Sequence, residues 1–320
     1  MSEISPTLRP LAQRLVAKSH RIMRRVKRLV FPKGFGLSAR GDDFLPYDRD
    51  KIYHPNARIP VKGLTSKELS FFKKNGWVGS FPLLAPEGVR LAGEVYDRTS
   101  GGFASPRING VENPDFFGKK PWRKSAHAYV PEFFDIASHP AIVNRIASIL
   151  GPDLLAWSFS LKLYAPGNVH RWHVDAEHRR WKGVSVFLGL KNITPMSTLK
   201  VINGSQRLKQ VPQEFPFNDD ERVLAECRKH VRGAEIVPVR VEEGEFFIFD
   251  GPVWHGSKNL SFKTRAAAII QYARPDQKIR VPLSWNEPIV WHPTPPACVL
   301  VKGKDRWKVN SLVDRPQRMG

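Results

Sequence analysis

Cysteine is scarce in this sequence, and long apolar runs are missing. The 320 residues include two cysteines, Cys227 and Cys298, which lie far apart and form no CxxC pair. This scarcity argues against a disulfide framework and a cysteine-rich zinc site, and it fits a reducing compartment. No apolar run approaches the roughly 20 residues of a bilayer span, and no secretory-signal pattern is visible. We therefore expect a globular protein of the cytoplasm.

Acidic residues are few relative to basic ones. The chain holds 30 Asp and Glu against 51 Lys and Arg, which gives a net charge of +21 and a pI near 10.2. Such a charge attracts anions, namely nucleic acid, acidic lipid surfaces, or phosphorylated and carboxylated substrates. Because no clear nucleic-acid-binding motif occurs, we expect no specific nucleic-acid partner.

The basic excess is greatest in residues 1–40, which carry a net charge of +9 and leave +12 for the rest of the chain. Apolar residues recur in this arm at helical spacing: Leu11, Leu15, Ile22, Val26 and Leu29. The pattern predicts a basic amphipathic helix. Three interpretations stay open. Residues 8–31 could bind an anionic membrane surface and make the protein membrane-peripheral, they could form a mitochondrial presequence, or their apolar stripe could pack on the main domain.

The period of the apolar residues divides the remaining chain into regions. Thr65 followed by Glu68 predicts a capped helix that ends at Gly76, and helical spacing returns over residues 131–150. From residue 155 the period changes to two, which predicts strands. The expected organisation is an extended linker at 41–63, a main domain at 64–275 (helical over 64–152, stranded over 155–275, with a helical insert at 219–231) and an extension at 276–320 that packs on the core.

The strand region indicates the fold class. Its candidate strands are short and follow one another with few helices between them: residues 155–164, 184–190, 199–202, 236–241, 245–249 and 265–272. Successions of this kind favour an antiparallel sandwich or jelly roll. The fold predicted from the residues is therefore mainly β with flanking helices.

Two segments carry residues suited to redox metal chemistry. One contains His173 and Asp175, separated by a single residue, and the other contains His255, some eighty residues later. Two imidazoles and one carboxylate on one face of the metal bind iron(II) in non-haem oxygenases and leave coordination positions open. With ten histidines in the chain, an HxD pair alone is a weak signal. Here each half of the predicted ligand set follows a predicted strand, which strengthens the prediction of a catalytic metal site.

Two further residues fit an anionic cosubstrate beside the metal. Arg265 follows His255 by ten residues and opens the last predicted core strand, where its guanidinium could hold a carboxylate through paired hydrogen bonds. Ser257 could add a hydroxyl to the same carboxylate. The cosubstrate expected at this position is 2-oxoglutarate. An iron enzyme that does not use 2-oxoglutarate is an alternative at this point, and Arg265 is the residue that distinguishes the two kinds of enzyme.

The chain resembles the phytanoyl-CoA dioxygenase family over about residues 64–275. The resemblance is carried by residues 64–76, 81–82, 149–152, 172–175, 192–195, 199–205, 244–250, 255–257 and Arg265. It implies a cupin-like double-stranded β-helix, with iron(II) held by His173, Asp175 and His255 and with 2-oxoglutarate and dioxygen as cosubstrates. The segment 149–175 is most similar to halogenases of carrier-bound amino acids. Those enzymes lack the carboxylate ligand, so the presence of Asp175 implies hydroxylation or a related oxidation rather than halogenation, with release of succinate and carbon dioxide.

Several weaker residue assignments complete the prediction. Tyr164 and Lys162 are expected near the cosubstrate, and His170, Arg171 and Arg180 near a substrate. This basic surrounding favours an anionic substrate, either a small molecule or one tethered to a carrier. An alternative is a basic protein that binds nucleic acid or membranes on a catalytically retired oxygenase barrel. The oligomeric state is left open.

Overall fold

The computed structural model describes residues 48–59, 62–102, 107–108, 111–112, 124–175, 181–282, 290–291 and 295–316. The predicted amphipathic helix over residues 8–31 lies outside the described residues. None of the described helices is long and apolar enough to cross a membrane.

Two antiparallel sheets form the core of the described chain. In chain order the strands are β1 (Trp77–Pro82), β2 (Arg107–Ile108), β3 (Val111–Glu112), β4 (Leu154–Tyr164), β5 (Val169–His173), β6 (Gly183–Lys191), β7 (Lys200–Ile202), β8 (Ile236–Pro238), β9 (Glu245–Asp250), β10 (His255–Lys258), β11 (Arg265–Ala273) and β12 (Val299–Lys302). The larger sheet has the order β1-β9-β6-β11-β4-β12, and the smaller one β5-β10-β7-β8. From β4 to β11 the chain passes back and forth between the two sheets. This topology is a double-stranded β-helix, and it confirms the predicted jelly roll.

The described helices are α1 (Arg49–Ile52), α2 (Pro55–Arg58), α3 (Ser66–Asn75), α4 (Pro86–Gly102), α5 (Ala126–Tyr129), α6 (Pro131–Ala137), α7 (Pro140–Leu150) and α8 (Asp220–Arg228). Helices α1 to α7 lie on one face of the larger sheet, whereas Val223 and Cys227 of α8 share a buried cluster with Ile202 of the smaller sheet. Ile142 and Ile146 of α7 belong to the same buried cluster as Val186 of β6 and Ile270 of β11. The opposite face of the larger sheet packs towards the smaller sheet, where Phe187 and Val201 share a second cluster. Because β6 is buried on both faces, its sequence is an apolar run interrupted by Ser185 rather than a regular alternation.

Strand β4 supplies the polar wall of the interior. Its register against β11 places Tyr164 opposite Arg265 and Ser160 opposite Ile269. The polar residues that alternate along this strand therefore face the space between the sheets, together with the inward residues of β11. In a half-exposed strand the same alternation would mark the solvent side, but here it marks the wall of a cavity.

Several segments differ from the expectations in detail, including β1 (Trp77–Pro82), a strand inside the region 64–152 that was expected to be helical. Residues 49–58 are not extended, since α1 and α2 each form one helical turn and bury Ile52 and Ala57 in the core. The helix expected over 131–150 is interrupted at His139, because the residue before Pro140 is disfavoured in the α region and takes a ψ of 133°. The extension after residue 275 contributes strand β12, which pairs with β4. Too few residues form β12 for a period to be visible in the sequence.

Candidate active site

The three predicted metal ligands meet between the two sheets. His173 is the last residue of β5, and the register places it opposite His255, the first residue of β10. The centroids of their rings lie 4.1 Å apart. Asp175 follows β5 by two residues, and its Oδ1 lies 3.8 Å from His255 Nε2. One possible ligand atom from each residue lies within 4.8 Å of the others, and this arrangement could hold a metal ion.

Both imidazoles are held by backbone carbonyls. The Nδ1–H of His173 donates to the carbonyl of Arg171 at 2.6 Å, and that of His255 donates to the carbonyl of Val253 at 2.9 Å. Because a carbonyl can only accept, each ring carries its proton on Nδ1 and its lone pair on Nε2. Burial holds the pKa of His173 well below its usual value, and the neighbouring rings of His255 and His170 lower it further. Neutral rings of this kind are the form that binds iron.

The carboxylate of Asp175 is oriented by two side chains of the larger sheet. Ser185 Oγ donates to Asp175 Oδ2 at 2.8 Å, and Gln271 Nε2 donates to the same oxygen at 3.0 Å. Ser185 and Gln271 lie opposite each other in the β6–β11 pairing. With Oδ2 engaged in this way, Oδ1 faces His255. The carboxylate therefore offers one oxygen towards the space between the rings.

The backbone of Val174, the residue between His173 and Asp175, is held by the side chain of Gln213. The N–H of Val174 donates to Gln213 Oε1 at 3.0 Å, and Gln213 Nε2 donates to the carbonyl of Val174 at 2.6 Å. Gln213 lies in the 3-10 helix Pro212–Glu214, within the long connection between β7 and β8. Asn218, in the same connection, accepts from the backbone N–H of Trp172 at 2.7 Å. The β7–β8 connection thus fixes the direction in which the ligand segment leaves β5.

Arg265 is buried at the start of β11. Its guanidinium carbon lies 4.5 Å from the ring centroid of Tyr164 and 5.7 Å from that of Phe187, and its Nη1 donates to the carbonyl of Ser197. Within the described chain, Arg265 Nε and Ser257 Oγ are both buried and hydrogen bond to no protein group. A buried guanidinium and a buried hydroxyl that both have hydrogen-bonding capacity left suit an anionic ligand. The residues present therefore fit the carboxylate end of 2-oxoglutarate.

One cavity contains the ligands and most of the residues predicted to surround them. Its lining is Lys124, Ser160, Lys162, Tyr164, His170, His173, Asp175, Phe187, Leu199, Phe249, His255, Arg265, Ile269 and Gln271. Three cationic side chains face this cavity against the single carboxylate of Asp175. The ring of His170 is neutral at pH 7 and adds no charge, because burial is the main cause that lowers its pKa to about 4. The cavity therefore has a positive electrostatic potential that favours anions.

Of the predicted site residues, Ser257 and Arg171 are not among those that line this cavity. The side chain of Arg171 is exposed, although its carbonyl supports His173. Arg180 lies outside the described residues. Sequence reasoning missed Ser185, Gln271 and Gln213. Ser185 and Gln271 are single polar residues inside otherwise apolar strands, which is a usable signal, whereas nothing local distinguishes Gln213.

Comparison with known proteins identifies a family and a fold. A family model for phytanoyl-CoA dioxygenase (PhyH) matches residues 72–267. Among solved structures, a non-heme monooxygenase, ThoJ in its apo form, is 20% identical and has a TM-score of 0.54, with 78% of this chain and 88% of that chain covered. CytC3 with Fe(II) and alpha-ketoglutarate is 16% identical, with a TM-score of 0.54 and coverage of 79% and 93%. EctD from S. alaskensis with 2-oxoglutarate and 5-hydroxyectoine is 19% identical, with a TM-score of 0.55 and coverage of 79% and 88%. These likenesses show the fold. Comparison with curated proteins gave no match.

Proposed function

Because the chain belongs to the phytanoyl-CoA dioxygenase family of iron(II)- and 2-oxoglutarate-dependent oxygenases, we propose that it hydroxylates an unactivated C–H bond of an anionic substrate. The substrate is a small molecule or is tethered to a carrier. The observation that carries this proposal is the convergence of His173, Asp175 and His255 in one cavity with the buried Arg265. A catalytically retired barrel is disfavoured by the same observation, since nothing would then maintain so many buried polar groups around one space.

In this proposal His173 and His255 hold iron(II) through Nε2, and Asp175 holds it through Oδ1. The backbone carbonyls behind the two rings and the Ser185–Gln271 pair behind the carboxylate fix all three donors before the metal binds. Such supporting hydrogen bonds raise metal affinity because little freedom is lost on binding. With iron(II) and 2-oxoglutarate bound, the centre supplies the oxidising power for hydroxylation, and succinate and carbon dioxide are released.

We assign the distal carboxylate of 2-oxoglutarate to Arg265 and Ser257, with Tyr164 and Lys162 beside it. Tyr164 stacks on the guanidinium, and its register opposite Arg265 keeps the two side chains on the same inner face. Lys162 lies two residues earlier on β4 and lines the same cavity. The cosubstrate would thus extend from the metal ligands along the inner face of the larger sheet, where buried side chains exclude water.

The anionic character of the substrate follows from the remaining cavity walls. Lys124, in the segment before α5, lines the cavity and is not assigned to the cosubstrate. The ring of His170 lies 4.2 Å from that of His173, between the metal ligands and Tyr164. A substrate with a carboxylate or phosphate would be oriented by these groups while its C–H bond faces the metal.

Anaerobic titration with iron(II) and 2-oxoglutarate, followed by visible spectroscopy, tests the metal and cosubstrate assignments. We expect a metal-to-ligand charge-transfer band that requires both additions. His173→Ala and Asp175→Ala should lose it, whereas His230→Ala, which alters an exposed histidine, should retain it. A full band in Asp175→Ala would refute the ligand assignment.

Coupled succinate release from a panel of anionic metabolites tests the substrate class. Arg265→Lys keeps the charge but loses the paired hydrogen bonds, so KM for 2-oxoglutarate should rise by roughly ten- to a hundred-fold. Lys124→Ala should instead raise KM for the anionic substrate while leaving uncoupled 2-oxoglutarate turnover in place. Stronger turnover of neutral compounds than of anionic ones would contradict the proposed substrate class.

A further inference from the structure

Three loops at one end of the barrel join into a single surface, here called the loop rim. They are residues 165–168 between β4 and β5, residues 192–199 between β6 and β7, and residues 259–264 between β10 and β11. The N–H of Leu260 donates to the carbonyl of Met196 at 2.9 Å, and the N–H of Asn259 donates to that of Asn168 at 2.9 Å. These hydrogen bonds hold the three loops side by side, so residues from distant parts of the chain share one surface.

The loop rim exposes large apolar side chains. Phe262 is 96% exposed, and Met196 and Leu260 are about half exposed. Leu163 near the end of β4 and Val169 at the start of β5 flank the first of these loops along the chain and are also about half exposed. Single exposed apolar residues are ordinary on protein surfaces, but a contiguous group marks a surface that meets an apolar partner.

The projection of Phe262 results from an ordered turn. Asn259 Oδ1 accepts from the N–H and the hydroxyl of Ser261, at 3.1 and 2.7 Å. The side-chain amide of Asn259 donates to the carbonyls of Lys263 and Tyr164, both at 2.8 Å. Residues on both sides of Phe262 are therefore anchored to the barrel, and the aromatic ring is presented outwards at the tip.

Cations surround the apolar tip. Lys191, Lys258 and Lys263 are exposed at the ends of β6, β10 and the last loop. The segments 162–170, 191–198 and 256–266 contain no aspartate or glutamate. Glu243 contacts this surface at its margin, where its carboxylate accepts from the N–H of Asn192. The surface thus combines apolar insertion with a positive border.

We propose that the loop rim docks on an anionic lipid bilayer, with Leu260 and Phe262 entering the interface and the lysines resting on the headgroups. Electrostatic repulsion argues against two other apolar partners for this positively charged surface. A second copy of this chain carries a net charge of +21, and the chain's own arm of residues 1–40 carries +9, so both are repelled. The apolar residues lie on projecting loops rather than in a groove, which suits shallow insertion into a bilayer.

A label at the tip tests the proposal directly. Cys227 and Cys298 are both fully buried, so an environment-sensitive fluorophore reacts selectively with Phe262→Cys. We expect a blue shift with vesicles of phosphatidylcholine and phosphatidylserine, and little shift with phosphatidylcholine alone. Ile59→Cys, which labels another exposed apolar position on the helical layer, is the matched control and should show no shift. An unchanged spectrum at position 262 on anionic vesicles overturns the proposal, and so does a shift with polyglutamate but not with vesicles, since it would identify an acidic protein as the partner.

Vesicle sedimentation of the full chain separates the loop rim from the basic arm. Leu260→Ser with Phe262→Ser should weaken partitioning onto anionic vesicles by roughly ten-fold, because two apolar side chains no longer enter the interface. Lys258→Ser and Lys263→Ser should each weaken it by about five-fold, whereas Lys304→Ser in the C-terminal extension should leave it unchanged. Undiminished binding in the double serine variant, with unchanged thermal melting, would show that the arm alone attaches the protein and would refute a role for the loop rim.

Discussion

At the scale of single residues, the proposed metal ligands depend for their orientation on side chains that are not ligands themselves. His173, Asp175 and His255 could be chosen from the sequence because an HxD pair and a later histidine each follow a predicted strand. Ser185 and Gln271, which orient the carboxylate, could not be assigned that role. They come from strands β6 and β11, and only the register of the sheet shows that they face each other.

Substitution of Gln213 tests whether a residue that is not a ligand affects metal binding. Gln213→Met keeps the side-chain length but removes both hydrogen bonds to Val174, so the two ligands on either side lose their fixed spacing. We expect the affinity for iron(II), or for cobalt(II) as a stable substitute, to fall by roughly ten- to a hundred-fold in metal titrations. Gln210→Met, three residues away and exposed, is the control. An unchanged metal affinity in a folded Gln213→Met protein would show that the hydrogen bonds between Gln213 and Val174 do not contribute to the geometry of the ligands.

The carboxyl group of Asp250 should make the free energy of unfolding depend on pH. Burial raises the pKa of its carboxyl from the model-compound value of 3.8 to about 6. A raised pKa means that the folded state binds the proton more tightly than the unfolded chain does. The stabilisation from this group is therefore complete below pH 4 and is lost as the pH rises through 6. Asp250→Asn should thus be more stable than the parent at pH 8, by up to about 3 kcal/mol, and the difference should vanish near pH 4.

Urea denaturation at several pH values measures this difference. Asp314→Asn, which alters an exposed carboxylate in the C-terminal extension, serves as the control and should give a nearly constant difference from the parent. If Asp250→Asn were less stable than the parent at pH 8, the carboxylate would have to be a favourable partner in the folded state, and the prediction would be wrong.

At the scale of elements, the sequence was most informative where a local rule acts alone. The helix α3 begins after Thr65 and ends at Gly76, as predicted, because capping and a left-handed glycine depend on neighbouring residues only. The break before Pro140 follows from an equally local rule that helical spacing alone did not reveal. Strand β12 and the helical turns of residues 49–58 depend on contacts with distant parts of the chain, so no local period could indicate them.

The capping box of α3 allows a quantitative test. Thr65 Oγ1 accepts from the N–H of Glu68, and the carboxylate of Glu68 accepts from the N–H of Thr65 at 2.7 Å. Thr65→Ala removes one partner and should lower the free energy of unfolding by about 1 kcal/mol, measured by urea denaturation. Lys67→Ala, in the first turn of the same helix and outside the box, should change it by much less. Equal effects of the two substitutions would mean that the cap adds nothing to the stability of the protein.

At the scale of the whole molecule, the positive charge and the catalytic cavity are separable properties. Composition predicts an affinity for anions but no particular location, since +12 of the charge lies outside the arm. Part of that charge lies in two places with different chemistry. Lys124, Lys162 and Arg265 face the buried cavity, whereas the lysines of the loop rim face solvent. In the functions proposed above, the first group would orient a small anion and the second would meet an extended anionic surface.

Metal binding should be visible as a change in global stability, because the ligands come from β5, the segment after it and β10, and all three must be folded to meet. At a free metal concentration one hundred times the dissociation constant, the gain is about 2.7 kcal/mol, which corresponds to a rise in Tm of roughly 5 °C for a domain of this size. Cobalt(II) with 2-oxoglutarate should raise Tm further than cobalt(II) alone if Arg265 holds the cosubstrate. Asp175→Ala should lose most of the rise, whereas His230→Ala should keep it. A rise of equal size in Asp175→Ala would mean that the metal stabilises the protein at some other site, and the ligand set proposed here would then have to be abandoned.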